Sequence, residues 1–552
     1  MKQRKRIDWL LVSTIIKYLF SLLITSVAYI RIWDKHYLLA GILELSIIAI
    51  FSNILLKNKV LGRIVNGVLI FFYNAQMALL IFSNSYLTMT MLNNLDSLEA
   101  LAGKAGIYIG ATVLVLLVAI MPFKRFETGK NISPYALSGV LALTLAFTML
   151  FGSAFSPMWS YFDLGVQYYR NSQLAKTVQE AANQIVANDD TQNSGTENDV
   201  IDFYKEEITD YKEKDALLPE QPNVILIFTE GLSQNVISDE RGIMPNVAAY
   251  QNKSFNFVNY YNHTFPTYRG ISGQLYSGYQ LDNLDINPLC SVQSILKDEG
   301  YATAFVNTEP NNEEFTTYLN NMGFDQIVGD TLYPCNGISS TVSDKDAYAL
   351  LYDTAINRLE EEKPFFVAIY TFGTHASLDS TDQKYGDGRD AELNKFYDCD
   401  YQFGEFMKKV ENGPLADNTI VIFTTDHATY ADESFSKAFP DYQRAQLSLD
   451  AIPLFIYYQG IEPGSLDVAG RNSSCLAPTI LDYLDVSAPN YFVGTSLYSQ
   501  EEPVVQETSY CEYNDAYNTR NGEIAPMEGG ALELFKKVMQ DYYITREIMA
   551  QQ

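Results

Sequence analysis

The sequence predicts a two-part architecture: an N-terminal five-helix transmembrane bundle, then an extracytoplasmic α/β domain whose mostly parallel sheet carries helices on both faces. Three observations predict it. Nearly all long apolar stretches fall before residue 157. Beyond that point, runs of buried-strand type alternate with helix-compatible stretches, and such alternation builds parallel sheets. Two of those runs end in acids or a histidine, at Glu230 and at Asp426-His427, and open α/β sheets place their sites at the carboxyl edge of their strands.

The 552 residues exceed what one domain usually holds, so at least two regions are expected. A net charge of −28 argues against nucleic acid as a partner, because a phosphate backbone needs a basic footprint.

A bilayer span takes about 20 mainly apolar residues. Five segments qualify: Leu10 to Ile30, Tyr37 to Leu56, Leu61 to Phe82, Ala105 to Phe123 and Tyr135 to Phe155. The first is too long for a signal-peptide core and is followed by four more spans, so it is retained. Lys2, Arg4, Lys5 and Arg6 precede the first span; Lys57, Lys59 and Arg63 lie around the junction of the second and third; Lys124, Arg125 and Lys130 lie between the fourth and fifth. The alternate loops are poorer in basic residues. The positive-inside rule therefore makes the N-terminus cytoplasmic and places everything after residue 156 outside the cytosol.

Two charges fall deep within these spans. Lys17 and Glu44 each lie about seven residues in, which at about 1.5 Å per residue brings both within roughly 5 Å of the midplane. Isolated charges at that depth are costly, so an ion pair joining the first two spans is expected.

Residues 157–216 form the connection. Tyr161 to Ala187 has helical spacing beside Trp159 and reads as a helix on the outer leaflet. Asn188 to Asp199 is polar and reads as a flexible linker. The catalytic domain, 217–552, follows. Its expected strands are Val224 to Phe228, Ala302 to Val306, Phe365 to Tyr370, Thr419 to Thr424 and Leu454 to Tyr458. Helices are expected at Ser291 to Glu299, stopped by Gly300, at Asp344 to Glu362 and at Leu393 to Val410.

The chemistry gathers at three places. The run Val224 to Phe228 leads into Thr229-Glu230-Gly231. The segment His263-Thr264-Phe265-Pro266-Thr267-Tyr268-Arg269-Gly270 opens a helix, where free amides and the dipole favour an anion such as a phosphoryl group. The run Thr419 to Thr424 leads into Thr425-Asp426-His427. Carboxylates and an imidazole make an oxygen and nitrogen ligand set suited to zinc or manganese. The Thr267 hydroxyl would complete four-coordination, and the metal would prepare it as a nucleophile. Thr264 is the alternative nucleophile; His263 and Arg269 read as structural.

Together, in this order, the pieces resemble the alkaline phosphatase superfamily, and more closely its membrane-bound branch of lipoteichoic acid synthases and phosphoethanolamine transferases. The matching motifs are Asn223-Val224-Ile225 to Thr229-Glu230-Gly231, Thr267, Gly373-Thr374-His375, Asn418-Thr419-Ile420 through Asp426-His427, and Ala477-Pro478-Thr479-Ile480-Leu481. The resemblance implies an alkaline phosphatase-like fold and one divalent metal, manganese or zinc, held by Glu230, Thr267, Asp426 and His427. It also implies that Thr267 attacks the headgroup phosphate of a membrane phospholipid, that diacylglycerol leaves, and that a cell-envelope glycan or glycolipid hydroxyl accepts the phospho-alcohol. His375 matches a histidine near the substrate phosphate.

The sequence also departs from that pattern. Lipoteichoic acid synthases carry a histidine, a tryptophan and an arginine in the segment corresponding to Phe305 to Thr317, where this chain reads Val306-Asn307-Thr308-Glu309-Pro310-Asn311-Asn312-Glu313-Glu314. Three acids there suit a cationic headgroup such as ethanolamine. No cysteine or serine stands at position 267, which argues against arylsulfatase chemistry. Five cysteines, Cys290, Cys335, Cys399, Cys475 and Cys511, fall in the outer domain, and Cys290 with Cys335 is the expected pairing. The function expected is a membrane phosphoglycerol transferase. The alternatives are a phosphoethanolamine transferase, a metal-dependent phosphodiesterase or phosphatase, and a non-catalytic envelope binding protein.

Overall fold

The computed structural model describes residues 8–32, 35–83, 86–87, 92, 105–126, 132–151, 155–166, 168–169, 172, 176, 180, 200–280, 286–329, 341–376, 378–380, 382–444, 446–499, 510–512 and 515–551. The chain divides into two compact units, residues 1–170 and 171–552. The expected linker Asn188 to Asp199 lies outside the described residues, as does Cys335, so the expected disulfide does too; among the described residues, Cys290, Cys399 and Cys475 form no disulfide.

Among the described residues, the first unit holds five apolar helices: α1 (Trp9–Ile32), α2 (Lys35–Leu55), α3 (Lys59–Ser83), α4 (Ala105–Ile120) and α5 (Ile132–Phe151). Among the described residues, four of them are long and apolar enough to cross a membrane; α4, with 16 residues, is shorter. The apolar run expected to continue to Phe123 leaves the helix at Ile120, and side chains of α1 and α2 take over its backbone partners. Ser13 Oγ donates to the Pro122 carbonyl at 2.9 Å and Lys17 Nζ to the Met121 carbonyl at 2.9 Å. The amides of Lys124 and Phe126 donate to Thr14 Oγ1 at 2.7 Å and Asn53 Oδ1 at 2.6 Å. Irregular backbone within an apolar bundle is tolerated where protein groups satisfy it in this way.

Lys17 and Glu44 do not pair. Lys17 Nζ donates to Asn66 Oδ1 on α3 at 2.7 Å as well as to Met121, and Asn66 in turn donates to Tyr18 and Ser52. Glu44 accepts from Ser156 Oγ and, at 3.0 Å, from the amide of Met158, at the start of helical residues 157–166. Depth in the sequence placed both charges near one level, but the neighbours that each meets across the bundle are different. Lys17→Met and Glu44→Gln are each expected to destabilise the detergent-solubilised protein by about 1–3 kcal/mol through buried partners left unsatisfied. Their effects should add, because the two networks share no partner. Thermal unfolding checks this, and restoration of stability by the swapped pair Lys17→Glu with Glu44→Lys would contradict it.

The second unit is built on an eight-stranded sheet in the order β4-β3-β5-β1-β6-β7-β2-β8. Its strands are β1 (Asn223–Thr229), β2 (Phe255–Val258), β3 (Ala302–Val306), β4 (Gln326–Val328), β5 (Phe365–Thr371), β6 (Thr419–Thr425), β7 (Phe455–Tyr457) and β8 (Gly464–Asp467). The run from β4 to β6 is parallel, and β7 enters antiparallel to both β6 and β2. All seven residues of β1, β5 and β6 are buried. Alternate residues of β1 enter opposite cores: Val224, Leu226 and Phe228 pack on one face, Ile225 and Ile227 on the other. A strand covered on both faces has no polar side to show, hence its unbroken apolar sequence.

The expected helices form as α8 (Val292–Asp298), α10 (Asp344–Leu359) and α11 (Ala391–Glu411), joined by α6 (Pro245–Lys253), α7 (Thr267–Leu275), α9 (Glu313–Asn320), α12 (Glu433–Ala438) and α13 (Leu476–Tyr483). Ser291 caps α8 in a reciprocal capping box with Ser294, and Gly300, at φ +92°, makes the left-handed exit expected of it. A small sheet of β9 (Tyr510–Glu512), β10 (Asp515–Asn518) and β11 (Ala525–Pro526) precedes the last helix, α14 (Gly529–Ala550). That helix packs Phe535, Val538, Met539 and Tyr542 against Phe203, Tyr279 and Val493.

Candidate metal centre and nucleophile

Strands β5, β1 and β6 lie side by side, and their carboxyl ends deliver the polar groups. The register pairs Thr229 with Thr425, so the next residues, Glu230 and Asp426, emerge together at the sheet edge. Gly231, at φ +47°, turns its amide onto Asp426 Oδ1 at 2.8 Å. A side chain there would be strained. Glu230, Asp426 and His427 are all buried, and one ligand atom from each lies within 4.8 Å of the others.

Thr267 is the first residue of α7. Its hydroxyl donates to Glu230 Oε2 at 3.1 Å and lies 3.5 Å from His427 Nε2. The helix is held against the end of β6 by Gln274, whose Nε2 donates to the carbonyls of Thr425 at 2.9 Å and Asp426 at 3.1 Å. Gly270 permits the approach, since a Cβ there would run into the Asp426 carbonyl. The structure thus brings Glu230, Thr267, Asp426 and His427 into one cluster.

His375 stands just beyond β5, half-buried, its ring stacked on Phe372 at 4.7 Å and its Nδ1–H donating to the Ala376 carbonyl at 3.0 Å. Burial lowers its pKa, against the pull of Glu230, so it is neutral at pH 7. His263 is a structural histidine. It accepts from Ser473 Oγ at 2.6 Å and donates to the Gly278 carbonyl at 3.1 Å, and burial lowers its pKa to about 3. Arg269 is buried on α7. Of the three acids in the 306–314 segment, Glu313 and Glu314 occupy the first turn of α9, where the helix dipole favours them, and Glu309 is buried with Asn312 donating to its Oε2 at 2.9 Å.

The donor set fits a divalent cation. His427 Nδ1–H is committed to the Ala428 carbonyl at 2.8 Å, which leaves the Nε2 lone pair facing Asp426 Oδ2 at 3.3 Å and Glu230 Oε1 at 3.6 Å. Asp426 Oδ1 accepts the amides of Gly231 and His427, while its buried Oδ2 makes no hydrogen bond. Burial and then the neighbouring Glu230 push Asp426 up to about 7. Burial opposes the charge on Glu230 too, but His427, His375 and the hydroxyls of Tyr370 and Thr267 together hold it below its ordinary value. His427 is raised, the two carboxylates outweighing burial. Two buried acids and an imidazole nitrogen so close together suit a cation whose binding displaces protons.

Sequence reasoning missed the supports of this cluster: Gln274, Gly270, Thr374, whose hydroxyl donates to the Glu230 carbonyl at 2.5 Å, and Tyr370, whose hydroxyl donates to Glu230 Oε2. All four lie within or beside motifs already noted, but their partners are set by cross-strand and helix-to-strand contact.

The chain is similar to known proteins. The sulfatase family model matches residues 222–486. An alkaline phosphatase superfamily protein from Vibrio parahaemolyticus is 18% identical, covering 69% of this chain and 96% of its own, with a TM-score of 0.51. The lipoteichoic acid synthase LtaP from Listeria monocytogenes is 15% identical over 61% of this chain and 94% of its own, with a TM-score of 0.47. The integral membrane lipooligosaccharide phosphoethanolamine transferase EptA from Neisseria meningitidis is 14% identical over 90% of this chain and 97% of its own, with a TM-score of 0.49. Residues 222–486 therefore match the sulfatase family model, and the fold is similar to that of an alkaline phosphatase superfamily protein.

Proposed function

We propose that the chain is a membrane-anchored transferase that moves phosphoglycerol from a phospholipid to a hydroxyl of a cell-envelope glycan or glycolipid, through a phospho-threonine on Thr267. The observation that carries this reading is the Thr267 hydroxyl, at a helix N-terminus and in contact with a buried group of two carboxylates and an imidazole. The same chain carries helices apolar enough to cross a membrane. In this reading 1–156 makes five crossings, the fourth by α4 with the captured segment Met121 to Phe126. Residues 157–216 form the juxtamembrane helix and linker, and 217–552 lie outside the cytosol as the catalytic domain.

Glu230, Thr267, Asp426 and His427 would hold a divalent cation, manganese or zinc, which would supply Lewis-acid polarisation of a phosphoryl oxygen and favour the ionised form of the hydroxyl. The chain does the rest. Thr267 Oγ bonds to the headgroup phosphorus as the bond from phosphorus to the diacylglycerol oxygen breaks, and that oxygen leaves with a proton. An acceptor hydroxyl then attacks the same phosphorus, the bond to Thr267 Oγ breaks, and the threonine recovers its proton. The N-terminus of α7, where Thr267 stands, carries the positive end of the helix dipole and so favours the charge that develops on the phosphoryl oxygens. His375 has Nε2 as the nitrogen that gives or takes a proton near the phosphate.

One observation favours phosphoethanolamine as a second reading. Burial first, then Glu314 and Glu309, raise the pKa of Tyr268, the neighbour of Thr267, so acidic charge lies close to the nucleophile on that side. Vesicles of phosphatidylglycerol or phosphatidylethanolamine with labelled headgroups, incubated with metal-loaded protein and an acceptor glycolipid, test both. Faster transfer from phosphatidylglycerol is expected. Faster transfer from phosphatidylethanolamine would move the assignment to the second reading, and release into water regardless of acceptor would make the protein a phosphodiesterase. No reaction with either lipid, with metal bound, would leave the non-catalytic binding role.

A further inference from the structure

Tyr370 stands on β5 opposite Phe228 of β1, buried to 1% exposure. Its ring sits among apolar partners, with Phe315 at 5.4 Å and Phe372 at 6.3 Å between centroids. Phenylalanine would pack there as well, and a buried tyrosine in such a place is explained by what its hydroxyl reaches. It reaches Glu230 Oε2, the oxygen that also accepts from Thr267. The other oxygen, Oε1, is the one that faces His427 Nε2, at 3.6 Å. The backbone of Glu230 is held by the same strand end, its amide donating to the Thr371 carbonyl at 3.2 Å and its carbonyl accepting from Thr374 Oγ1 at 2.5 Å.

We infer that Tyr370 is a positioning residue that divides the two oxygens of Glu230, committing Oε2 to hydroxyl partners and leaving Oε1 as the one turned to the metal. The inference rests on the metal-site reading given above. A carboxylate able to rotate presents either oxygen, or both, to a cation; one pinned by a buried phenol presents a single oxygen at a fixed angle. Fixing Oε2 also fixes the acceptor that orients the Thr267 hydroxyl. Tyr370 therefore acts on the metal and on the nucleophile through one residue, without touching substrate.

The test is metal affinity. Full-length protein in detergent is stripped with a chelator and titrated calorimetrically with manganese, and separately with zinc, for the unaltered protein, Tyr370→Phe and Tyr276→Phe. The last loses a buried hydroxyl bonded to the Met322 carbonyl at the far end of α7, and so controls for hydroxyl loss as such. Tyr370→Phe is expected to raise the Kd about 10- to 100-fold, as loss of an outer partner of a metal ligand does, while Tyr276→Phe leaves it unchanged. A folded Tyr370→Phe protein with unaltered Kd overturns the inference. If that variant does not fold, Tyr370→Met, which fills the space without a hydroxyl, decides in its place by the same criterion. Failure of the unaltered protein to bind either metal removes the metal-site reading itself, a result distinct from loss of the Tyr370 role alone.

Discussion

Asp426→Asn is expected to abolish metal uptake at micromolar concentrations and, with it, turnover. The carboxylate is used at both ends: Oδ1 accepts the amides of Gly231 and His427, and Oδ2 points without a hydrogen bond into the cluster. An asparagine in this place must keep its carbonyl oxygen toward the two amides, because its NH2 group would face two donors there. The NH2 group is then turned to the centre, where it offers no lone pair to a cation and places a donor against His427 Nε2. The loss should exceed the roughly 10- to 100-fold that removal of an outer-shell partner costs. Calorimetric titration and metal content after dialysis measure it, and wild-type affinity in the variant would remove Asp426 from the ligand set.

The same residue gives the pH dependence. Asp426 is pushed from its ordinary 3.8 up to about 7 by burial and by Glu230, so the metal-free cluster holds a proton that binding must displace. Metal affinity is expected to rise with pH as Asp426, near 7, and His427, raised above its ordinary value, give up their protons. For the metal-free protein the sign is opposite. Between about 4 and about 7 the folded state binds more protons at this site than the unfolded chain, so this contribution to stability falls as pH rises through that window. Bound metal reverses that loss.

Thr267→Ala is expected to lower headgroup transfer by about 10⁴-fold or more, the scale on which removal of a covalent nucleophile acts in other enzymes. Thr267→Ser should keep a measurable fraction, since it preserves an oxygen at the first position of α7 and loses only a methyl group. The contrast separates nucleophile from helix start: alanine and serine perturb the helix end alike in size, but only serine can carry phosphate. Equal activity in both variants would mean that Thr267 only begins the helix.

What could be read from the chain, and what could not, follows from where the information lies. The ends of β1 and β6 were legible because a strand buried on both faces has to be continuously apolar, and an acid that interrupts such a run stands out. The short strands β2, β4 and β8 were not, because three or four residues at a sheet margin carry no period. The early end of α4 was invisible to hydropathy, which cannot see that Ser13, Thr14, Lys17 and Asn53 bind the backbone that follows Ile120. Lys17 and Glu44 were expected to pair because count gives them a similar depth, but depth fixes neither the rotation of a helix nor the acceptors that a neighbour offers. Tyr370 was read only as part of an apolar strand. Its bond to Glu230 joins residues far apart in the chain and depends on the register between β5 and β1, which only the folded sheet supplies.

Intact mass of the full-length protein, after incubation with phosphatidylglycerol and manganese or zinc, addresses the covalent step itself. A gain equal to one phosphoglycerol group, located on Thr267 by peptide mapping and absent from Thr267→Ala, is the predicted result. Release of headgroup with no adduct on the unaltered protein, or an adduct that persists in Thr267→Ala, would contradict transfer through this threonine.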